Sequence, residues 1–294
     1  MKNQSDFDGF DAFSKIAFPE HKLKVDPYLS RLYRPASLRL SWVLLKTGIT
    51  PNSITYLQII VGLLGCYAIY AMQNTLGLAI GVLLLHFAYV LDCVDGEIAR
   101  ATNTESIQGI FLDKFAHAIT MPAIFLSVGT YVAALHPGGS QWMIILSWLA
   151  SFATFNPVSR IVLTVVDALL RKGDVEQYNV ANYQTSQEQT LNTKATFIKR
   201  AIRSVGHPDR STGIFWVALH LFRHVSYLAG ISVLLVLQIV VGSSVLIVTI
   251  WMLACLALVL KEAALLLLVV RSGFIEKRLS EIAPTASQPE HPSP

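Results

Sequence analysis

Residues 76–100 read LGLAIGVLLLHFAYVLDCVDGEIAR, an apolar run that ends in Asp92, Asp95, Gly96, Glu97, Ala99 and Arg100. As a helix the stretch is long enough to cross a bilayer. It places Asp92 and Asp95 where an ionised group is costly, which marks them as functional. On a helix Asp92, Asp95, Gly96 and Ala99 fall at i, i+3, i+4 and i+7 and share one face. The next apolar run places Gly109, Asp113 and His117 at i, i+4 and i+8, again on one face. The connection between Arg100 and Gly109 is short, so the two helices are expected to be antiparallel neighbours with three carboxylates facing one another. Such a group repels itself unless a cation neutralises it, and hard oxygen ligands favour Mg²⁺ or Mn²⁺ acting with substrate phosphates. The small residues Gly96, Ala99 and Gly109 let a backbone or a flat ligand come close.

The rest of the chain supports a membrane setting. With 53% hydrophobic and 14% charged residues it is not an ordinary soluble domain. We read six spans, at about 54–72, 76–100, 107–135, 141–170, 214–240 and 244–272, and hence an all-α polytopic membrane protein. The first apolar block begins too late for a cleaved signal peptide, so the spans are expected to stay in the mature protein. Connections around 73–75, 136–140 and 241–244 hold no Lys or Arg, whereas the N-terminal segment, residues 171–212 and the C-terminal end hold many. By the positive-inside rule both termini are cytoplasmic, which an even number of spans satisfies; the membrane is expected to be the cell inner (plasma) membrane. A net charge of +4 is too small to suggest a nucleic-acid partner. Cys66, Cys93 and Cys255 all fall in apolar blocks without CxxC spacing and read as packing residues.

Residues 1–26 are polar and mixed in charge and read as a flexible arm. Residues 27–272 form the membrane domain. Within it, 27–47 set Leu29, Leu32, Leu38, Leu40, Trp42 and Leu45 against Arg31, Arg34 and Arg39, the pattern of an interfacial amphipathic helix or of a short helix packed on the loops. Thr50-Pro51-Asn52-Ser53 marks a helix start. Residues 171–212 read as a hydrophilic cytoplasmic insert, and 273–294, rich in Pro and Ser, as a disordered tail.

Counted inward from the cytoplasmic side, Arg160, Arg223 and Lys261 reach about the depth of Asp92 and Asp113. Cations there suit a phosphate or another anion. Arg160 has Asn156 one turn away on its own face, and Arg223 has His220. Arg223 also fits a snorkelling side chain, and Lys261 with Glu262 a self-neutralised pair.

The spacing Asp92-x2-Asp95-Gly96-x2-Ala99-Arg100-x8-Gly109-x3-Asp113 resembles the signature of the CDP-alcohol phosphotransferases. The Thr50-Pro51-Asn52 helix start and the six-span pattern are similar too, and Arg34-Pro35-Ala36-Ser37 with Asp95–Arg100 is similar to the branch that uses inositol phosphates. The resemblance implies an enzyme in which an alcohol attacks the phosphate of a CDP-activated alcohol, releasing CMP and forming a phosphodiester. It implies metal ligation by Asp92, Asp95 and Asp113, with Asn52, Gly96, Ala99, Arg100 and Gly109 around the nucleotide. It also implies a homodimer in the lipid bilayer. Where the family carries a fourth aspartate, thought to ligate a second metal and to deprotonate the acceptor hydroxyl, this chain has His117. Histidine can serve as that base near neutral pH, but it is a poorer Mg²⁺ ligand, which points to a one-metal site or a softer second metal. The alternatives are a relative that binds nucleotide or lipid without turnover, and a transporter whose charges line an ion path.

Overall fold

The computed structural model describes residues 7–19, 28–136, 141–154 and 224–272. Among them the regular elements are helical: α1 (Phe10–Ala17), α2 (Arg34–Leu44), α3 (Pro51–Met72), α4 (Thr75–Thr102), α5 (Ile107–Ala134), α6 (Gln141–Thr154), α7 (His224–Val240) and α8 (Ser244–Ser272). Short 3-10 turns, Tyr28–Leu32 and Leu45–Thr47, flank α2. Local chemistry sets the long helices' ends. Thr50, Asn74 and Ser106 cap α3, α4 and α5, their side-chain oxygens accepting from the backbone N–H of Ser53, Gly77 and Gly109. Asn103 ends α4 in the left-handed region at φ 53°, where asparagine is tolerated better than most residues.

Helices α3, α4, α5 and, in α8, Ser244–Ala264 are long and apolar enough to cross a membrane. The described parts of the other two expected spans, α6 and α7, are shorter; the remainders of 141–170 and 214–240 lie outside the described residues. Tyr56, Ile60, Leu64 and Tyr67 leave one face of α3 bare, as a lipid-facing helix does. The insert 171–212 and the tail 273–294 also lie outside the described residues.

Helix α3 packs along both α4 and α5, while those two touch each other only lightly. The simple pairing of the two acid-bearing helices is therefore corrected: α3 wedges between them. Gly62 permits this, since a methyl there would lie 3.1 Å from Thr120 Cγ2 on α5 and 3.7 Å from Ala88 Cβ on α4. The main core runs from Cys66 and Ile69 through Leu85, Phe125 and Tyr131 to Trp251 and Leu258, joining α3 to α8. Cys66, Cys93 and Cys255 are buried free thiols.

A second core gathers Phe13, Ala17, Leu45, Ile54, Leu91, Val94, Ile98 and Ala101, from α1, the end of the α2 region, α3 and the last turns of α4. Part of the expected flexible arm is thus an ordered helix, because Phe7, Phe10 and Phe13 close around Trp42. Helix α2 departs from a simple apolar-in pattern as well. Its buried residues are Ser37 and Ser41, while Leu32 just before it and Val43 are exposed. The partner that draws the serines inward is Glu97 on α4.

Candidate metal centre

Asp92 and His117 lie at the same depth, counted away from the 103–106 turn that joins α4 to α5. His117 Nε2 is 3.2 Å from Asp92 Oδ1 and 3.3 Å from Asp113 Oδ1. One ligand atom from each of Asp92, Asp113 and His117 lies within 4.8 Å of the others. None of the three is fully buried, so a ligand can reach them. Asp95 stands outside this trio: it is 9% exposed, and its Oδ2 accepts from Thr55 Oγ1 at 2.6 Å.

Helix α3 supplies the support. Gln58 Nε2 donates to Asp92 Oδ1 at 2.8 Å, so one carboxylate oxygen meets both the amide and the imidazole. Gln58 Oε1 is buried without a hydrogen-bond partner. Asn52, on the same helix, lies beside Gly109, whose missing Cβ would sit 3.6 Å from Asn52 Oδ1. Lys114 Nζ donates to Asp113 Oδ2 at 2.8 Å. Gly96 faces Arg100, whose Nη1 and Nη2 would lie 3.1 and 3.6 Å from a Cβ there. Asp92, Gly96 and Arg100 thus form one i, i+4, i+8 row, with half-buried Ala99 beside it. Asn156, Arg160, His220 and Arg223 lie outside the described residues. Lys261 pairs with Glu262 on α8.

Sequence reasoning missed Thr55, Gln58, Lys114, Glu97 and His86. The available signal for Thr55 and Gln58 was their i, i+3 spacing from each other, one turn on from Asn52, along an otherwise apolar span. His86 belongs to a directed chain. Ser232 gives its hydroxyl proton to the Leu228 carbonyl at 2.9 Å. It therefore accepts from His86 Nε2 at 2.7 Å. That leaves Nδ1 to accept from the Tyr33 hydroxyl, also at 2.7 Å. Burial, aided by nearby Cys93, raises the Tyr33 phenol above its ordinary value and keeps it in this donor form. The chain ties the turn before α2 to α4 and α7.

Two carboxylates and an imidazole suit a divalent cation, and the nitrogen tilts the set from Mg²⁺ toward Mn²⁺. The unpartnered Gln58 oxygen adds a neutral oxygen at the edge of the group. The residues present therefore fit a metal ion.

Over residues 48–198 the chain matches the CDP-alcohol phosphatidyltransferases, and it belongs to that family. It is 33% identical over 90 residues to the archaetidylinositol phosphate synthase of Pyrococcus horikoshii, covering 31% of this chain and 46% of that protein. An uncharacterized protein of Aquifex aeolicus is 28% identical over 133 residues, or 45% of this chain and 62% of the relative. Cholinephosphotransferase 1 of Danio rerio is 26% identical over 158 residues, or 50% and 40%. The chain thus spans about half the length of these curated relatives.

Proposed function

We propose that this protein is a membrane-embedded, metal-dependent transferase that moves a phospho-alcohol unit from a CDP-alcohol to a hydroxyl acceptor, releasing CMP, in phospholipid or related lipid synthesis. The observation that carries the reading is the convergence of Asp92, Asp113 and His117 inside the matched region. Those three side chains, with Asp95 close by, would hold Mn²⁺ or Mg²⁺. A bound cation there would stabilise charge on the departing CMP oxygen.

The chain's own groups divide the remaining work. Asn52, Gly96, Ala99 and Gly109 leave room for the nucleotide, and Arg100 meets its phosphates. Where the aspartates alone hold the cation, His117 Nε2, beside Asp113, takes the acceptor's proton; bound to the cation it could not also be the base. Gln58 fixes Asp92 and Thr55 fixes Asp95, so the acids are oriented before substrate arrives. Arg160 and Arg223, outside the described residues, are the cations proposed to meet an anionic acceptor. The two relatives with named activities differ in the group they are named for, an archaetidylinositol phosphate in one and cholinephosphate in the other, so the donor is assigned as a CDP-alcohol without further detail. The domain is taken as 27–272, with six spans, cytoplasmic termini and 27–47 along the interface.

The test is CMP release by purified protein in detergent, with CDP-diacylglycerol and small CDP-alcohols, mixed acceptors, and Mg²⁺ or Mn²⁺. Asp113→Asn is the blank. Release that needs metal, acceptor and Asp113 supports the proposal, and the active donor gives the direction of transfer. Intact CDP binding with no release from any donor would instead make this a non-catalytic relative.

A further inference from the structure

Glu97 is an acid in a membrane-spanning helix that the metal-binding trio does not use. It is fully buried. Its Oε1 accepts from Arg34 Nη1 at 2.9 Å and from Ser37 Oγ at 2.7 Å; its Oε2 accepts from Ser41 Oγ at 2.7 Å. The donors stand at i, i+3 and i+7 on α2 and so form one face. A buried carboxylate with this many donors is satisfied, and it holds α2 in one register against α4.

Helix α2 in turn holds α1. The Trp42 ring lies 5.3 Å from that of Phe13, and Arg34 places its guanidinium 4.4 Å from the Phe18 ring centre. Ala17 ends α1, where backbone carbonyls lack intrahelical partners and attract cations. The Ala17 carbonyl accepts from Arg100 Nε at 2.7 Å. With Nε engaged there, the two Nη groups lie over Gly96, in the row that leads to Asp92. A long, rotamer-rich side chain is thereby held in one pose before a ligand arrives. Both α1 and α2 precede the region matched to the family.

We propose that Glu97 and α1 are positioning elements for Arg100, fixing its guanidinium over Gly96 and in line with Asp92 to receive a phosphate of the nucleotide donor. The inference rests on the proposed reading of the site as a CDP-alcohol site.

Phe13→Ala loosens α1 without touching the site, because Phe13 is fully buried in the second core. Binding of CDP and of Mn²⁺ alone would be measured separately on the full-length protein. The expected result is CDP affinity lowered about tenfold, as for loss of a preorganised charged contact, with Mn²⁺ affinity unchanged. Glu97→Gln keeps an acceptor oxygen but not the charge, and should shift CDP binding in the same direction by less. In an Arg100→Lys background, Phe13→Ala should have no further effect on CDP, a non-additivity that general loosening does not produce. Equal weakening of CDP and Mn²⁺, additive effects, or tighter CDP binding on loosening α1 would each overturn the proposal. Wild-type protein that binds Mn²⁺ but no CDP would overturn the site reading itself, and this inference with it.

Discussion

Replacing His117 by aspartate would put a third carboxylate where Asp92 Oδ1 and Asp113 Oδ1 already stand 3.2 and 3.3 Å from the imidazole nitrogen. The donor set would become all oxygen, which suits Mg²⁺ better. His117→Asp is therefore expected to raise Mg²⁺-supported CMP release relative to Mn²⁺-supported release. An unchanged Mg²⁺/Mn²⁺ ratio would show that the ring is not a ligand. Thr55→Val tests the support on Asp95. It removes the donor to a carboxylate that is only 9% exposed, at a cost of about 1–3 kcal/mol. The variant should melt earlier than wild type in metal-free detergent, and Thr55→Ser should restore the loss. The acids themselves were legible in sequence because an ionised residue in an apolar run is conspicuous. Gln58 and Thr55 were not. A polar side chain in a span can serve packing, capping or support, and only tertiary contact with Asp92 and Asp95 separates these roles.

At the scale of helices, apolar length placed α4 and α5, and the Thr50-Pro51-Asn52-Ser53 start placed α3, to within a few residues; Asn74 and Ser106 cap α4 and α5 locally and were not read. Which helices touch was less legible. The wedge made by α3 depends on where glycines face, and the burial of Ser37 and Ser41 depends on Glu97, sixty residues away in the Ser37 pair. A comparable close approach joins α5 to α6, where a methyl on Gly129 would collide with the Ser147 side chain. Ser147 Oγ also accepts from Trp251 Nε1 of α8 at 2.9 Å. Gly129→Ala must push α6 outward and strain that bond, an overpacking cost of about 1–3 kcal/mol. The prediction is a lower melting temperature for Gly129→Ala, partly recovered when Ser147→Gly is added, which removes both the Cβ and the Oγ that the methyl meets, even though Ser147→Gly alone strands the indole N–H. Strictly additive losses would mean that the two side chains do not compete for the same space.

For the molecule as a whole, the distribution of charge makes a demand that helix geometry alone does not. Among the described residues four helices are long and apolar enough to span, and the described parts of α6 and α7 are apolar but shorter. If all six cross, the connections at 73–74 and 241–243 face away from the cytoplasm, while 103–106 faces it, along with Arg100 and the acids near it. On the proposed function, this arrangement would put the centre on the side from which a nucleotide-linked donor is supplied. The three native thiols are buried, so a single introduced cysteine reports its own location. Gln73→Cys and Val241→Cys should react with a membrane-impermeant maleimide added to intact cells. Thr104→Cys should react only after the membrane is opened. Labelling of Gln73→Cys from outside but of Val241→Cys only from inside would require an odd number of crossings between them, and would move one terminus across the bilayer. Labelling of Thr104→Cys from outside would turn the candidate metal centre away from the cytoplasm, and would count against the proposed CDP-alcohol substrate.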